Sequence, residues 1–192
     1  MEKIFYFNRN EIQTINGINP SSVLNSTLYL GERNIVENSS YSLQPICAGV
    51  LITKDMQVLG FVKANKAVSK NSPEKGRTLL YIGGHLDEHD KQDNTISSCR
   101  HGMIREVQEE LGLTLAIDKV QSPIVIYTPY NEKASKHIGV IFPIYIEKTF
   151  KPNFSDGNCN FIKIKDLNKI GNLDSWSLKI YSEILLKKQP RL

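Results

Sequence analysis

Residues 105 to 113 read Arg-Glu-Val-Gln-Glu-Glu-Leu-Gly-Leu, and this run of nine constrains the chain more than any other. Glu106, Glu109 and Glu110 stand at i, i+3 and i+4, the spacing that makes side chains neighbours on a helix. Met103, Ile104, Val107 and Leu111 supply an apolar stripe, and Gly112 follows as a stop signal. Like charges gathered on one helical face repel, whereas a hard divalent cation such as Mg²⁺ is coordinated by oxygens of this kind. The plainer reading is a glutamate-rich surface helix, which a bare Glu-x-x-Glu-Glu does not exclude.

The residues upstream weaken the plain reading. Thr78-Leu-Leu-Tyr-Ile82 has the β-branched and aromatic composition of a strand. It leads into Gly83 and Gly84, and then into the acidic stretch His85-Leu-Asp-Glu-His-Asp90. A strand, a glycine pair, an acidic loop and an acidic helix with Arg-Glu at its centre resemble the Nudix hydrolase family, whose signature is G-x5-E-x7-R-E-U-x-E-E-x-G-U with U a bulky aliphatic residue. The second half matches at every defined position from Arg105 to Leu113. In the first half Gly84 takes the glycine, and Asp90 stands where the family has glutamate. The stretched box with Gly-Gly-His, at Gly83 to His85, resembles one branch of the family.

The spacing between the halves departs from the signature: fourteen residues, Lys91 to Ile104, separate Asp90 from Arg105. The extra seven amount to about two turns of α-helix. A helix extended towards its N-terminus would keep the three glutamates in orientation. Ile96, Cys99 and Met103 continue the apolar stripe backwards, and Asp93 or Asn94 is available as N-cap. Gly102 opposes this mildly, because a mid-helix glycine costs about 1 kcal/mol relative to alanine. An enlarged loop is the alternative.

The resemblance implies an α/β fold, the Nudix-type α/β/α sandwich with a mixed β-sheet between helices. It implies one Nudix-type domain over residues 1–192, with 46–190 as the recognised core and 1–45 as an N-terminal extension. The rest of the pattern agrees. Ala48–Thr53 and Gln57–Val62 read as a hairpin about Lys54-Asp55-Met56, and Ile124–Tyr127, His137–Ile146 and Asn160–Ile164 read as strands. A helix is expected from Trp176 to Leu186, capped by Asp174 or Ser175, with Leu178, Tyr181, Ile184 and Leu185 inward. In the extension, Met1–Phe7 and Ser26–Leu30 read as strands and the stretch around Ile18-Asn-Pro20 as loop. That segment can extend the sheet, cover the site or make a homodimer contact. Val68–Arg77 is long enough for a mobile loop over the site.

The activity implied by the resemblance is metal-dependent hydrolysis of a diphosphate linkage in a nucleoside diphosphate derivative or related compound. Glu106, Glu109 and Glu110 then hold Mg²⁺ or Mn²⁺, with the carbonyl of Gly83 as a further ligand. Arg105 pairs with a carboxylate such as Asp90 and holds loop against helix. Glu109, or Asp156 on a later loop, is a candidate general base. Lys63 and Arg77 are candidates for phosphate contacts, and His85 for the pocket lining. Two competitors share the fold: a nucleotide-binding module without chemistry, and an isomerase of the isopentenyl diphosphate type. The first usually shows erosion of Arg-Glu-x-x-Glu-Glu, which is intact here; the second needs a catalytic cysteine and glutamate, and no cysteine adjoins Gly83-Gly84-His85.

Composition excludes other classes. At 192 residues and 40% hydrophobic content the chain can bury one sizeable core, and no apolar run approaches a membrane span. Met1-Glu-Lys-Ile-Phe-Tyr lacks the plan of a signal peptide, and the three dispersed cysteines suit a reducing compartment, so a cytoplasmic protein is expected. A net charge of +4 suits a small anionic substrate, yet no basic tract interleaved with aromatics argues for nucleic acid. His85, His89, Cys99 and His101 lack the spacing of a zinc site, and Trp176 reads as a core anchor that could also stack on a base.

Overall fold

The computed structural model describes residues 2–64, 75–147, 152, 154 and 157–188. Nine strands among these residues form one mixed sheet organised about its longest member, β4 (Ser42–Thr53). Its sequence, SLQPICAGVLIT, is apolar almost throughout, as expected of a strand covered on both faces. β8 (His137–Ile146) runs parallel to it over the whole length, from Gln44↔His137 to Thr53↔Ile146. The other edge of β4 is shared. β1 (Lys3–Asn8) pairs with its beginning, β6 (Ile82–His85) with its middle and β5 (Gln57–Lys63) with its end, all antiparallel. β7 (Ile124–Tyr127) lies outside β8, and β9 (Gly157–Lys163) lies outside β5.

In the extension one expectation is met and one changes. β1 and β3 (Leu28–Glu32) form an antiparallel pair that extends the sheet, as one of the readings allowed. The stretch around Ile18, expected as loop, contains β2 (Gly17–Asn19), which pairs with β7. The Asn19 side chain holds the preceding turn by donating to the carbonyls of Ile15 and Gly17, a local signal that looks like loop chemistry in sequence. After β3 comes the short helix α1 (Arg33–Asn38).

The long helix α2 (Thr95–Leu111) begins at Asn94, whose side chain accepts from Ser97 N–H, and ends at Gly112 with φ 67. The inserted residues therefore extend the helix. Cys99, Met103, Val107 and Leu111 are buried against the sheet, while Ile96 and Ile104 are only partly covered. Met103 and Val107 face Gly49 of β4, whereas Trp176 of α4 (Ser175–Ile180) lies against Gly139 of β8. Gly49 and Gly139 sit at opposite parity in the paired register, so the two helices cover opposite faces of the sheet. This is the α/β/α sandwich expected.

The last helix keeps its cap at Asp174, but it continues from Ile180 as a π-helical turn over Tyr181–Leu185. The inner face also differs from the one expected. Trp176, Ser177, Ile180, Ile184 and Leu185 are buried, and Leu178, expected inside, is 52% exposed. The strand expected at Thr78–Ile82 also shifts. Thr78 and Leu79 make only isolated bridges, to Leu173 and Phe61, and the ladder with β4 starts at Ile82 and contains the glycine pair. Among the described residues no helix is long and apolar enough to cross a membrane.

Candidate active site

The site is assembled where β6 hands over to α2. After His85 the chain makes a single 3-10 turn, Glu88–Asp90, closed by a reciprocal cap. Asp87 accepts from His89 N–H at 2.8 Å, and Asp90 Oδ2 accepts from Asp87 N–H at 3.0 Å. The turn is tied to the sheet by Phe5 N–H donating to the Leu86 carbonyl at 2.8 Å. It delivers Asp90, with no exposed surface, to Arg105 of α2. Arg105 donates to Asp90 through Nε and Nη2 at 3.1 and 2.9 Å, a two-point pairing of guanidinium and carboxylate.

The same guanidinium donates to the His85 carbonyl at 3.1 Å, to Glu106 at 2.9 Å and to Glu109 at 3.1 Å, and stands 3.4 Å from Asp87. Burial opposes its charge, but the hydrogen bonds and field of Asp90, with Glu106 and Asp87, outweigh that and raise its pKa. One cation thus faces four carboxylates. Glu106 carries the electrostatic consequence. Burial raises its pKa, Arg105 works the other way, and the neighbouring Glu109 and Asp90 raise it further.

Two glycines make this packing feasible. A Cβ on Gly84 would lie 2.3 Å from Glu106 Oε1, so only glycine lets the carboxylate rest on β6. A Cβ on Gly102 would stand 2.9 Å from Asp90 Oδ2, and this is why a residue that weakens the helix sits at its centre. Both are close approaches to the carboxylates they flank.

A cavity of about 380 Å³ opens beside these residues. Gly83, Gly84, His85, Asp87, Arg105, Glu106 and Glu110 form one wall, and Lys63, Trp176 and His137 also border it. Of the residues singled out in sequence, Glu106, Glu110, Gly83, Lys63, His85 and Arg105 are therefore brought together. Asp90 lies behind the wall. Glu109 does not line the cavity: its side chain is 58% exposed and held by Arg105 one turn earlier. Arg77 is exposed and also absent from the lining. Asp156 and most of Val68–Arg77 fall outside the described residues.

His85 is a neutral, fixed element. Its Nε2 lies 2.9 Å from Gln44 Oε1, while the Gln44 amide donates to the Val36 carbonyl. That assignment makes Nε2 the donor and leaves Nδ1 to accept from Arg33 at 3.5 Å. Burial, with the charges of His137, Arg33 and Lys133 around it, lowers its pKa to about 3. His137, edge-on to it at 5.5 Å, is lowered to about 4, chiefly by burial and next by Lys133. Trp176 is buried as a core anchor, its ring tilted 44° to that of Tyr81 at 5.5 Å between centroids, and it borders the cavity. Sequence reasoning missed Arg33, Asp87, Lys133 and His137. Asp87 lay within the acidic stretch, but the others are brought in by strand pairing distant in sequence.

Among the described residues no three His, Cys, Asp or Glu side chains stand as a ready set of metal ligands. The donors nevertheless fit a hard divalent cation. Glu106, Glu110 and Gly83 line one cavity, and the excess of carboxylates over Arg105 favours added positive charge.

No family model and no curated protein sequence matches this chain. Solved structures do match. The fold agrees with that of Tm1382, described as a candidate Nudix hydrolase, at a TM-score of 0.75 and 22% identity over 96% of this chain and 99% of that one. The Nudix domain of Shewanella oneidensis NrtR, solved with ADP ribose, matches at 0.56 and 12% identity over 79% of this chain and 95% of that one. A bifunctional NMN adenylyltransferase/ADP ribose pyrophosphatase from Francisella tularensis, solved with AMP and a manganese ion, matches at 0.55 and 17% identity, over 76% of this chain and 42% of that one. The fold is the Nudix fold, as the resemblance in residues 84 to 113 implied.

Proposed function

We propose that the chain is a metal-dependent hydrolase of a diphosphate linkage in a nucleoside diphosphate derivative or a related compound. The observation that carries this reading is the shared cavity of Glu106, Glu110 and Gly83, backed by Arg105 and bordered by Lys63. Glu106 and Glu110, with the Gly83 carbonyl, would hold Mg²⁺ or Mn²⁺. The ion, when bound, supplies neutralisation of phosphate charge and a more acidic water.

The chain's own residues do the rest. Arg105 fixes the Glu106 carboxylate from one side while Gly84 lets it settle on β6. Asp90 locks Arg105, so it is a positioning residue that acts through the guanidinium. Lys63 borders the cavity and offers a cation to the diphosphate. Asp87, which lines the cavity, is a candidate to accept a proton from water, and Glu109 is the other once its side chain leaves Arg105 and turns towards the cavity. The Nudix structures described with AMP or ADP ribose are consistent with a nucleotide-like substrate.

The test is a hydrolysis screen over nucleoside triphosphates, dinucleoside polyphosphates, nucleotide sugars, ADP-ribose and dinucleotide cofactors with Mg²⁺ or Mn²⁺. Turnover lost in Glu110→Gln supports the reading. A wild type inert towards every compound would leave the binding module as the better account.

A further inference from the structure

A second cavity, about 550 Å³, adjoins the first. The two share Arg33, His85, Lys133 and His137, so they form one groove with two differently charged ends. The carboxylates of β6–α2 occupy one end. Arg33 and Lys133 stand at the junction, where they border both cavities, and Lys136, Glu37 and Glu132 line the other end.

These cations are not equally committed. Arg33 is divided between Glu2 at 2.6 Å and Glu37 at 2.7 Å. Lys136 donates to the Glu37 carbonyl at 3.3 Å and pairs with Glu132 at 3.3 Å, a carboxylate whose side chain is 88% exposed and so strongly screened. Lys133 makes no ion pair among the described residues, although it borders both cavities. Its side chain is exposed, but the backbone that carries it is held in place. The short helix α3 (Glu132–Ser135) that carries it is capped by Asn131, and Arg9 of the N-terminal segment clamps the helix end by donating to the Ser135 carbonyl and the Tyr127 hydroxyl. Arg33 comes from the same N-terminal segment, which the catalytic motif does not include.

We propose that the second cavity is a specificity subsite for a phosphate monoester carried by the substrate beyond the scissile diphosphate, with Lys133 and Arg33 as its binding cations. A phosphate monoester is close to a dianion at neutral pH and has three acceptor oxygens. It can accept from the Lys133 ammonium and the Arg33 guanidinium together, competing at Arg33 with Glu2 and Glu37. The groove thereby orders the substrate, diphosphate towards Glu106 and Glu110, monoester towards Lys133. The inference rests on the hydrolase reading for the first cavity, but its binding arm can be measured without turnover.

The probes are matched pairs differing by one ribose phosphate: ADP-ribose against its 2′-phosphate, and dephospho-coenzyme A against coenzyme A. In the wild type, kcat/KM should favour the phosphorylated member of at least one pair by about tenfold or more, the scale of one charge-assisted contact. Lys133→Gln should collapse that ratio towards one, and Lys133→Arg should restore it. Equal kcat/KM within both pairs, or a ratio unchanged in Lys133→Gln, overturns the proposal. If nothing is hydrolysed, calorimetric titration of the same pairs decides. Tighter binding of a phosphorylated member that is lost in Lys133→Gln supports the subsite while the hydrolase reading fails. Equal affinities in both proteins overturn the subsite.

Discussion

The wholly buried Asp90 carboxylate accepts two hydrogen bonds from Arg105, fifteen residues on, and the acidic loop and long helix are held together through that pair. Breaking a buried pair by removing one charge typically costs about 3–5 kcal/mol, because the remaining charge stays desolvated. Arg105 keeps three other carboxylates, so the lower part of that range applies. Asp90→Asn should therefore lower unfolding free energy by about 3 kcal/mol in urea titration. A variant within about 1 kcal/mol of wild type would mean that the other carboxylates hold Arg105 without it.

Gly84 and Gly102 should respond differently to alanine. Gly102→Ala gains helix propensity of about 1 kcal/mol but drives a Cβ to 2.9 Å from a carboxylate that cannot retreat. Overpacking at such sites costs about 1–3 kcal/mol, so a net loss of stability is expected. Gly84→Ala displaces the Glu106 carboxylate, which has a cavity to move into, so its main effect should be on turnover. A stabilised Gly102→Ala would show that the seat of Asp90 is soft.

What was legible in the sequence was local. The stripe of Cys99, Met103, Val107 and Leu111 is a helical period that burial reproduces, and the Asn94 cap and Gly112 stop are single-residue signals. The hairpin at Met56, with its positive φ of 58, and β8 are likewise written in contiguous residues. The basic junction of the groove was not legible, because Arg33 and Lys133 meet only after β1 and β8 have both paired with β4. The carboxylate spacing sets the helix face of the three glutamates and leaves their side-chain rotamers open. Glu106, Glu109 and Glu110 do share a helix face, but Arg105, at i−4 from Glu109, draws that side chain out to the rim. The shortened ladder at β6 escaped notice because Thr78–Ile82 is apolar for core packing as much as for pairing.

That division among the glutamates gives a graded prediction for metal binding. An ion that binds only the native state raises stability by about 2.7 kcal/mol at a hundredfold excess over Kd. Mg²⁺ or Mn²⁺ should thus raise the melting temperature of the wild type. Glu106→Gln and Glu110→Gln should lose most of the shift, whereas Glu109→Gln should keep most of it, since its side chain is off the cavity. Calorimetric melting with and without each ion checks the order. A Glu109→Gln variant as insensitive to metal as Glu110→Gln would mean that Glu109 leaves Arg105 to join the ion.

The buried imidazole of His137 makes stability depend on pH in a defined window. Its folded pKa is about 4, lowered by burial and by Lys133 and Lys136 against the opposing pull of Glu37, while an unfolded histidine titrates near 6.5. As pH falls below about 6.5 the unfolded chain takes up a proton that the native chain refuses. The stabilisation is complete above that pH and is lost progressively down to about 4. The loss is on the order of a few kcal/mol. His85, in contact with His137, acts in the same direction and over a window reaching lower, to about 3. Carboxylates add their own acid sensitivity, so the readout is the difference between wild type and His137→Asn across urea titrations from pH 7 to 4. The variant should show a shallower fall over that interval. Parallel curves would mean that His137 takes up its proton in the native state as readily as in the unfolded chain.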